Sequence, residues 1–334
     1  MAIFLILVGS LLGVVRVDAQ EKRGFFKKWL LKRVEEKTVA LVVDAKEYSI
    51  QHDGRQRTYL VHTPKGWNGK DPLPVVCLFH GGGGSARQAL NSYGLIKKSD
   101  EVGFLLVAPN GTGPAANSFL TWNVGFGFGE AQKLKIDDPG FVKVLLEKLE
   151  KDFPVDSRRR FATGMSNGGF LCHWLAAQPG NRFAAIAPVV AALGVREKEE
   201  GDWITPPKPT TPVSVLAING QLDEHVPLSG GWQKKSITEK RLMMSASDTV
   251  AFWVQANQCA SESQCASDEQ HKAFVTRFSG GQNGTVVIQY VLSNQGHAWP
   301  GSPKPPQARA DLPSPDFPGN DMIWEFFKAH PRPE

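Results

Sequence analysis

Arg158-Arg159-Arg160-Phe161-Ala162-Thr163-Gly164-Met165-Ser166-Asn167-Gly168-Gly169-Phe170-Leu171 carries an apolar run into a Gly-x-Ser-x-Gly sequence, and an apolar-periodic pattern leads out of it. Strand, turn and helix in that order form the context in which this motif becomes a nucleophile elbow. The turn has to hold Ser166 above a sheet in a strained backbone conformation. Gly164 and Gly168 suit it because side chains there would meet the neighbouring strand and helix. Ser166 is therefore the candidate nucleophile, and the rest of the chain should supply a base, an orienting acid and an oxyanion site.

Working outward, Tyr48–His52 and Arg57–His62 read as strands joined through Asp53-Gly54, a hairpin signal. Pro74–Phe79, Gly103–Val107, Phe183–Val190 and Val213–Ile218 are apolar runs suited to strands buried on both faces, and Thr285–Leu292 reads as a further strand. Helical patterns follow Asp138, with Asp138 expected as cap and Pro139 at the first helical position, and recur over 247–256 and 321–329. Alternation of this kind predicts an α/β fold, with a mostly parallel sheet covered on both faces. No repeat or composition break divides 48–334, so it is expected to be one catalytic domain.

A serine hydroxyl needs a base within hydrogen-bond reach, itself held by a third group. The strand at 213–218 opens into Asn219-Gly220-Gln221-Leu222-Asp223-Glu224-His225, and Asp223 is the candidate acid, with Glu224 as its neighbouring fallback. Thr285–Leu292 opens into Ser293-Asn294-Gln295-Gly296-His297-Ala298-Trp299-Pro300-Gly301, and His297 is the candidate base. Both loops leave the carboxyl ends of parallel strands, where such sheets bind ligands. His173 reads as a packed helix residue, and His225 stands too close to Asp223 in sequence to take its carboxylate easily. For the oxyanion, the backbone N–H of Asn167 and that of Gly82, in His80-Gly81-Gly82-Gly83-Gly84, are the expected donors. His80 reads as a brace rather than a proton carrier.

The 334 residues are 41% hydrophobic and 21% charged with a formal net charge of +5, ordinary for a globular protein. No basic cluster interleaved with aromatics points to nucleic acid. No metal-ligand spacing appears, and neither metal nor cofactor is expected. Residues 1–19 resemble an export signal ending at Val17-Asp18-Ala19, with a retained anchor as the competing reading, so the protein is expected to be secreted or periplasmic. Residues 20–47 form a charged lead-in. Its basic 20–37 stretch could rest on a membrane, though a solvated helix explains it as well. Cys259 and Cys265 flank a short polar segment and are candidates for a small disulfide loop, whereas Cys77 and Cys172 lie in apolar patterns as buried thiols.

Five segments carry a family resemblance: Asp53-Gly54-Arg55-Gln56-Arg57-Thr58-Tyr59, Leu78 to Gly84, Ile136-Asp137-Asp138-Pro139-Gly140-Phe141, Val155 to Gly169, and Gly296-His297-Ala298-Trp299-Pro300-Gly301. Over roughly residues 48 to 330 the chain resembles the polyhydroxybutyrate depolymerase/feruloyl esterase-like family of secreted serine esterases. The resemblance implies an α/β-hydrolase fold and a triad of Ser166, Asp223 and His297. Where many depolymerases have a cysteine beside the oxyanion loop, this chain has glycines, and no polymer-binding module is evident. The expected substrates are therefore feruloyl or acetyl esters on plant polysaccharide, with polyhydroxybutyrate or its oligomers as the alternative. Trp122 and Trp299 are expected to wall an aromatic acyl pocket. A non-catalytic binding protein on the same fold, and a peptidase of the prolyl-oligopeptidase kind, are the remaining rivals.

Overall fold

The computed structural model describes residues 43–114, 119–126, 129–236, 239–302 and 311–333. The expected export signal and the basic 20–37 stretch lie outside the described residues. Ten strands form one sheet in the order β1 (Lys46–His52), β2 (Arg55–His62), β4 (Leu105–Pro109), β3 (Leu73–Phe79), β5 (Val155–Met165), β6 (Ala185–Val189), β8 (Ser214–Gly220), β13 (Val287–Leu292), β12 (Ala273–Phe278) and β11 (Ser263–Asp268). The central strands from β4 to β13 run parallel, and the strands beyond them on each margin pair antiparallel. A small separate sheet joins β7 (Val195–Arg196), β10 (Leu242–Met243) and β9 (Gly231–Trp232).

Burial on both faces explains the continuous apolar runs. Every residue of β3 is buried. Val75, Cys77 and Phe79 pack into one core, while Val76 and Leu78 pack into the other. The first core is roofed by α4 (Asp138–Asp152), α5 (Asn167–Ala177) and α6 (Ala246–Asn257); the single turn α3 (Glu130–Lys133) precedes α4. The second is roofed by α1 (Ala86–Ser92), α2 (Leu95–Val102) and α7 (Gly319–Ala329). The Asp53-Gly54 hairpin is as expected: both residues have positive φ, 48° and 67°, which matches a two-residue turn to the strand twist.

Two local expectations are corrected. Asp137, not Asp138, caps α4, its carboxylate accepting the Gly140 N–H at 2.9 Å. A side chain at Gly140 would collide with that carboxylate, so the glycine admits the cap. Asp138 falls inside the helix and is fully buried, where it accepts from Arg57 at 2.6 Å and from the Asn123 N–H at 2.7 Å. Arg57 also lies over the Phe141 ring at 4.0 Å, so the charge pair is enclosed by β2, α4 and the loop before α3.

The second correction concerns Cys259 and Cys265, which are both free. The polar segment between them does not loop back. Residues from Ser263 onward extend into the edge strand β11, where Cys265 pairs across from Thr276 on β12. Cys259 stays behind at the end of α6, its thiol 3.9 Å from the Thr285 carbonyl oxygen. Cys77 and Cys172 are buried free thiols, as expected.

Candidate active site

Strand β5 delivers Ser166 into a backbone conformation of φ 54° and ψ −120°, and α5 begins at the next residue. A non-glycine residue there is strained, so the surroundings must hold it. The Ser166 N–H donates to the Val189 carbonyl oxygen at 3.0 Å, and the Ser166 carbonyl accepts from Phe170 N–H at 2.8 Å. A Cβ at Gly164 would stand 2.7 Å from the backbone of both Gly168 and Phe79. One at Gly168 would collide with the Phe79 and His80 carbonyl oxygens. The two glycines let β5, α5 and the end of β3 meet backbone to backbone, and that contact fixes the serine.

The loops after β8 and β13 are zipped together by Gln221 N–H to Leu292 O at 3.0 Å and Leu222 N–H to Gln295 O at 2.9 Å. The zipper brings Asp223 and His297 within reach of each other. Asp223 Oδ1 accepts from the N–H groups of His225 and Val226, each at 2.8 Å. Its Oδ2 faces His297 Nδ1 at 2.8 Å. The Asp223 side chain is 1% exposed and that of His297 12%. A carboxylate so placed holds the proton on Nδ1 and leaves Nε2 as the basic nitrogen. Ser166 and His297 line the same two cavities, though no hydrogen bond joins the hydroxyl to the imidazole. Such contacts commonly tighten only around bound substrate.

Beside Ser166 the glycine loop is built on His80. Its Nδ1–H donates to the Gly81 carbonyl oxygen at 2.8 Å, and its Nε2 accepts from the Gly111 N–H at 3.1 Å. Both nitrogens are committed, and burial pushes the His80 pKa down to about 4. The ring is a neutral brace. The Gly83 and Gly84 N–H groups are consumed inside the loop by Leu120 O and Gly81 O. Those of Gly82 and Asn167 have no hydrogen-bond partner among the described residues, and both residues face the cavity with Ser166.

Trp122 and Trp299 do not wall that cavity. Trp122 is fully buried, with its indole N–H donating to the His80 carbonyl oxygen at 3.0 Å. Its backbone N–H and C=O are clasped by the Asn167 side chain at 2.7 and 3.2 Å. Trp299 is 2% exposed, stacked on Tyr93 with centroids 4.5 Å apart, and bonded through its indole N–H to Asn320 at 3.0 Å. Each indole turns its single N–H to an acceptor of the protein rather than to the cavity.

The cavities flank Ser166 on two sides. One, of about 150 Å³, has apolar walls from Phe126, Phe170, Val226 and Met243, with His225 and Arg241 also facing it. The other, of about 400 Å³, runs along the glycine loop to Tyr93. Residues such as Phe126 and Met243 were missed in the sequence because they reach the cavity from a loop and from strand β10, far from Ser166 along the chain. The one local signal was the spacing of Phe170, four residues beyond Ser166 and thus one helical turn away.

Comparison with known proteins fits this architecture. Residues 101–207 match the prolyl oligopeptidase family, a stretch that holds Ser166 but neither Asp223 nor His297. A probable feruloyl esterase C of Aspergillus oryzae is 27% identical over 186 residues, 54% of this chain and 60% of that protein. The chain therefore spans well under two thirds of that relative's length. A putative esterase, NocK, of Nocardia uniformis subsp. tsuyamanensis is 26% identical over 275 residues, 75% of this chain and 73% of its own. An acetyl xylan esterase structure from Aspergillus awamori superposes with a TM-score of 0.55 at 12% identity, covering 85% of this chain and 99% of that one. The fold is an α/β-hydrolase fold, and the similarity is to feruloyl esterase-like serine esterases. The polyester-degrading side of the resemblance gains no specific support from these relatives. Among the described residues, no helix is long and apolar enough to cross a membrane.

Proposed function

We propose that the chain is a secreted or periplasmic carboxylic-ester hydrolase with its catalytic domain in residues 48–334, working through an acyl-enzyme on Ser166. The observation that carries this reading is the Asp223–His297 contact at 2.8 Å, set beside a strained serine on the wall of a shared cavity. Ser166 Oγ attacks the ester carbonyl while its proton passes to His297 Nε2. Asp223 keeps the ring in the tautomer that leaves Nε2 free and stabilises the imidazolium that forms. The Gly82 and Asn167 N–H groups, unspent among the described residues, receive the developing oxyanion. Collapse of the tetrahedral intermediate expels the alcohol, which takes the proton from Nε2. Water then repeats the sequence and releases the acid.

The apolar cavity among Phe126, Phe170, Val226 and Met243 suits the acyl group, and the wider cleft along the glycine loop suits the alcohol. An aromatic acid on one side and a sugar on the other describe feruloyl-type esters of plant polysaccharide, with acetyl esters as the smaller variant. The names of the similar proteins, feruloyl esterase and acetyl xylan esterase, point the same way. Ser166→Ala should abolish hydrolysis of p-nitrophenyl acetate with the fold intact; retained turnover would remove the assignment. Wild-type rates on methyl ferulate, acetylated xylan, short polyhydroxybutyrate chains and a blocked peptide then rank the substrate class. Faster turnover of the polyester chains would favour the depolymerase alternative.

A further inference from the structure

One imidazole outside the triad stands against it. The turn after β8 spends the His225 backbone N–H on Asp223 and folds the His225 ring over His297, with centroids 4.8 Å apart and planes tilted by 35°. His225 Nε2 lies 3.3 Å from Asp311 Oδ2, and Lys235 bridges Asp311 to Glu224. The His225 side chain is 26% exposed and lines the cavity that holds Ser166. Its backbone carbonyl is also fixed, accepting from Gln233 Nε2 at 2.7 Å. The backbone of His225 is thus held on both sides, and its ring is tied at Nε2 to Asp311 with one face toward His297.

We propose that His225 is a positioning residue for the reaction: its neutral ring, moored to Asp311, packs His297 onto Asp223, and a proton on His225 disables the pair. The proposal rests on the Ser166–His297–Asp223 reading and deepens it. Acylation turns His297 into an imidazolium, and a like charge within contact distance opposes that step. Among the described residues, the charged and titratable groups around His225 are His297 from the β13 loop, Asp223 and Glu224 from the β8 loop, Asp311 from the segment before α7 and Lys235 from the segment between β9 and β10, with Arg241 of that segment lining the same cavity. Burial, and next His297, hold its pKa below the ordinary histidine value, while Asp311 and Asp223 pull it back up. The two rings are thus close enough for a charge on one to oppose a charge on the other.

The acid limb of kcat/KM tests this. In the wild type the limb should steepen toward a slope of about two, because a proton on either ring inactivates. In His225→Gln the limb should follow a single proton, with kcat at pH 8 down about 10-fold and KM nearly unchanged. Asp311→Asn, which leaves both rings in place, should push the second protonation to lower pH and flatten the limb likewise. Imidazole NMR titrations give a readout free of turnover: coupled titration of two rings in the wild type, and one simple curve for His297 in His225→Gln. A wild-type limb of one proton that neither variant alters would overturn the proposal. So would uncoupled NMR titrations, even where Ser166→Ala has upheld the triad. Loss of activity in Ser166→Ala together with uncoupled rings would sink this inference alone.

Discussion

His80 and His297 sit at the same edge of the sheet, one opening the glycine loop after β3 and the other in the loop after β13. The difference between them lies in what their nitrogens are given. His80 has both ring nitrogens taken by backbone groups and is buried, which lowers its pKa to about 4. His297 has only Nδ1 taken, by a carboxylate, and keeps a 12% exposed side chain on the cavity wall with Ser166. A histidine whose two nitrogens are both bonded to the main chain is a fixture. One with a single nitrogen tied to an acid has a base left to use.

Substitutions should separate the two. His297→Gln should lower kcat/KM by about 10⁴-fold or more while the urea midpoint of unfolding stays put. A loss of stability instead would place His297 with His80 as structure. Stability should next depend on the buried rings that avoid charge, His80 near 4 and His173 near 3, both lowered by burial. Their folded values lie below the unfolded histidine value, so the unfolded chain binds more protons in between. The contribution is complete above about pH 6.5 and is lost as pH falls toward the folded values, by about 2 kcal/mol per ring at pH 5. Urea titrations from pH 7 to 5 measure it. His80→Leu should itself cost about 3 kcal/mol, because Gly111 N–H and Gly81 O lose their partner, and it should remove one ring's share of that pH slope. An unchanged slope would show that burial does not hold His80 neutral.

Legibility in the sequence followed the same division. Strands buried on both faces announced themselves as apolar runs; Asp223 follows one of these and His297 follows the half-buried strand β13, so their arrival at one sheet edge could be anticipated. The β11–β12 hairpin could not: Ser263, Gln264, Cys265, Ala266 and Ser267 are all exposed, so no apolar alternation marks the strand. Trp122 and Trp299 were misread because size and neighbourhood suggest a pocket wall, whereas each indole N–H instead turns to a protein acceptor, His80 O or Asn320. Asp137 and Asp138 differ by one register position, which sequence spacing does not resolve; Gly140 decides it by leaving room for the carboxylate. His225 was set aside on its distance from Asp223 along the chain, yet its contact is to His297 across two loops, a pairing only tertiary structure supplies.

The meeting of Gly164 and Gly168 with the main chain of Phe79 and His80 ties the serine's coordinates to the sheet rather than to any side chain around it. Phe126, Val226 and Met243 approach from loops and a flap strand outside that contact. The cavity's shape and the serine's position therefore rest on separate parts: the cavity can be reshaped, by evolution or by design, while the Ser166 hydroxyl keeps its place.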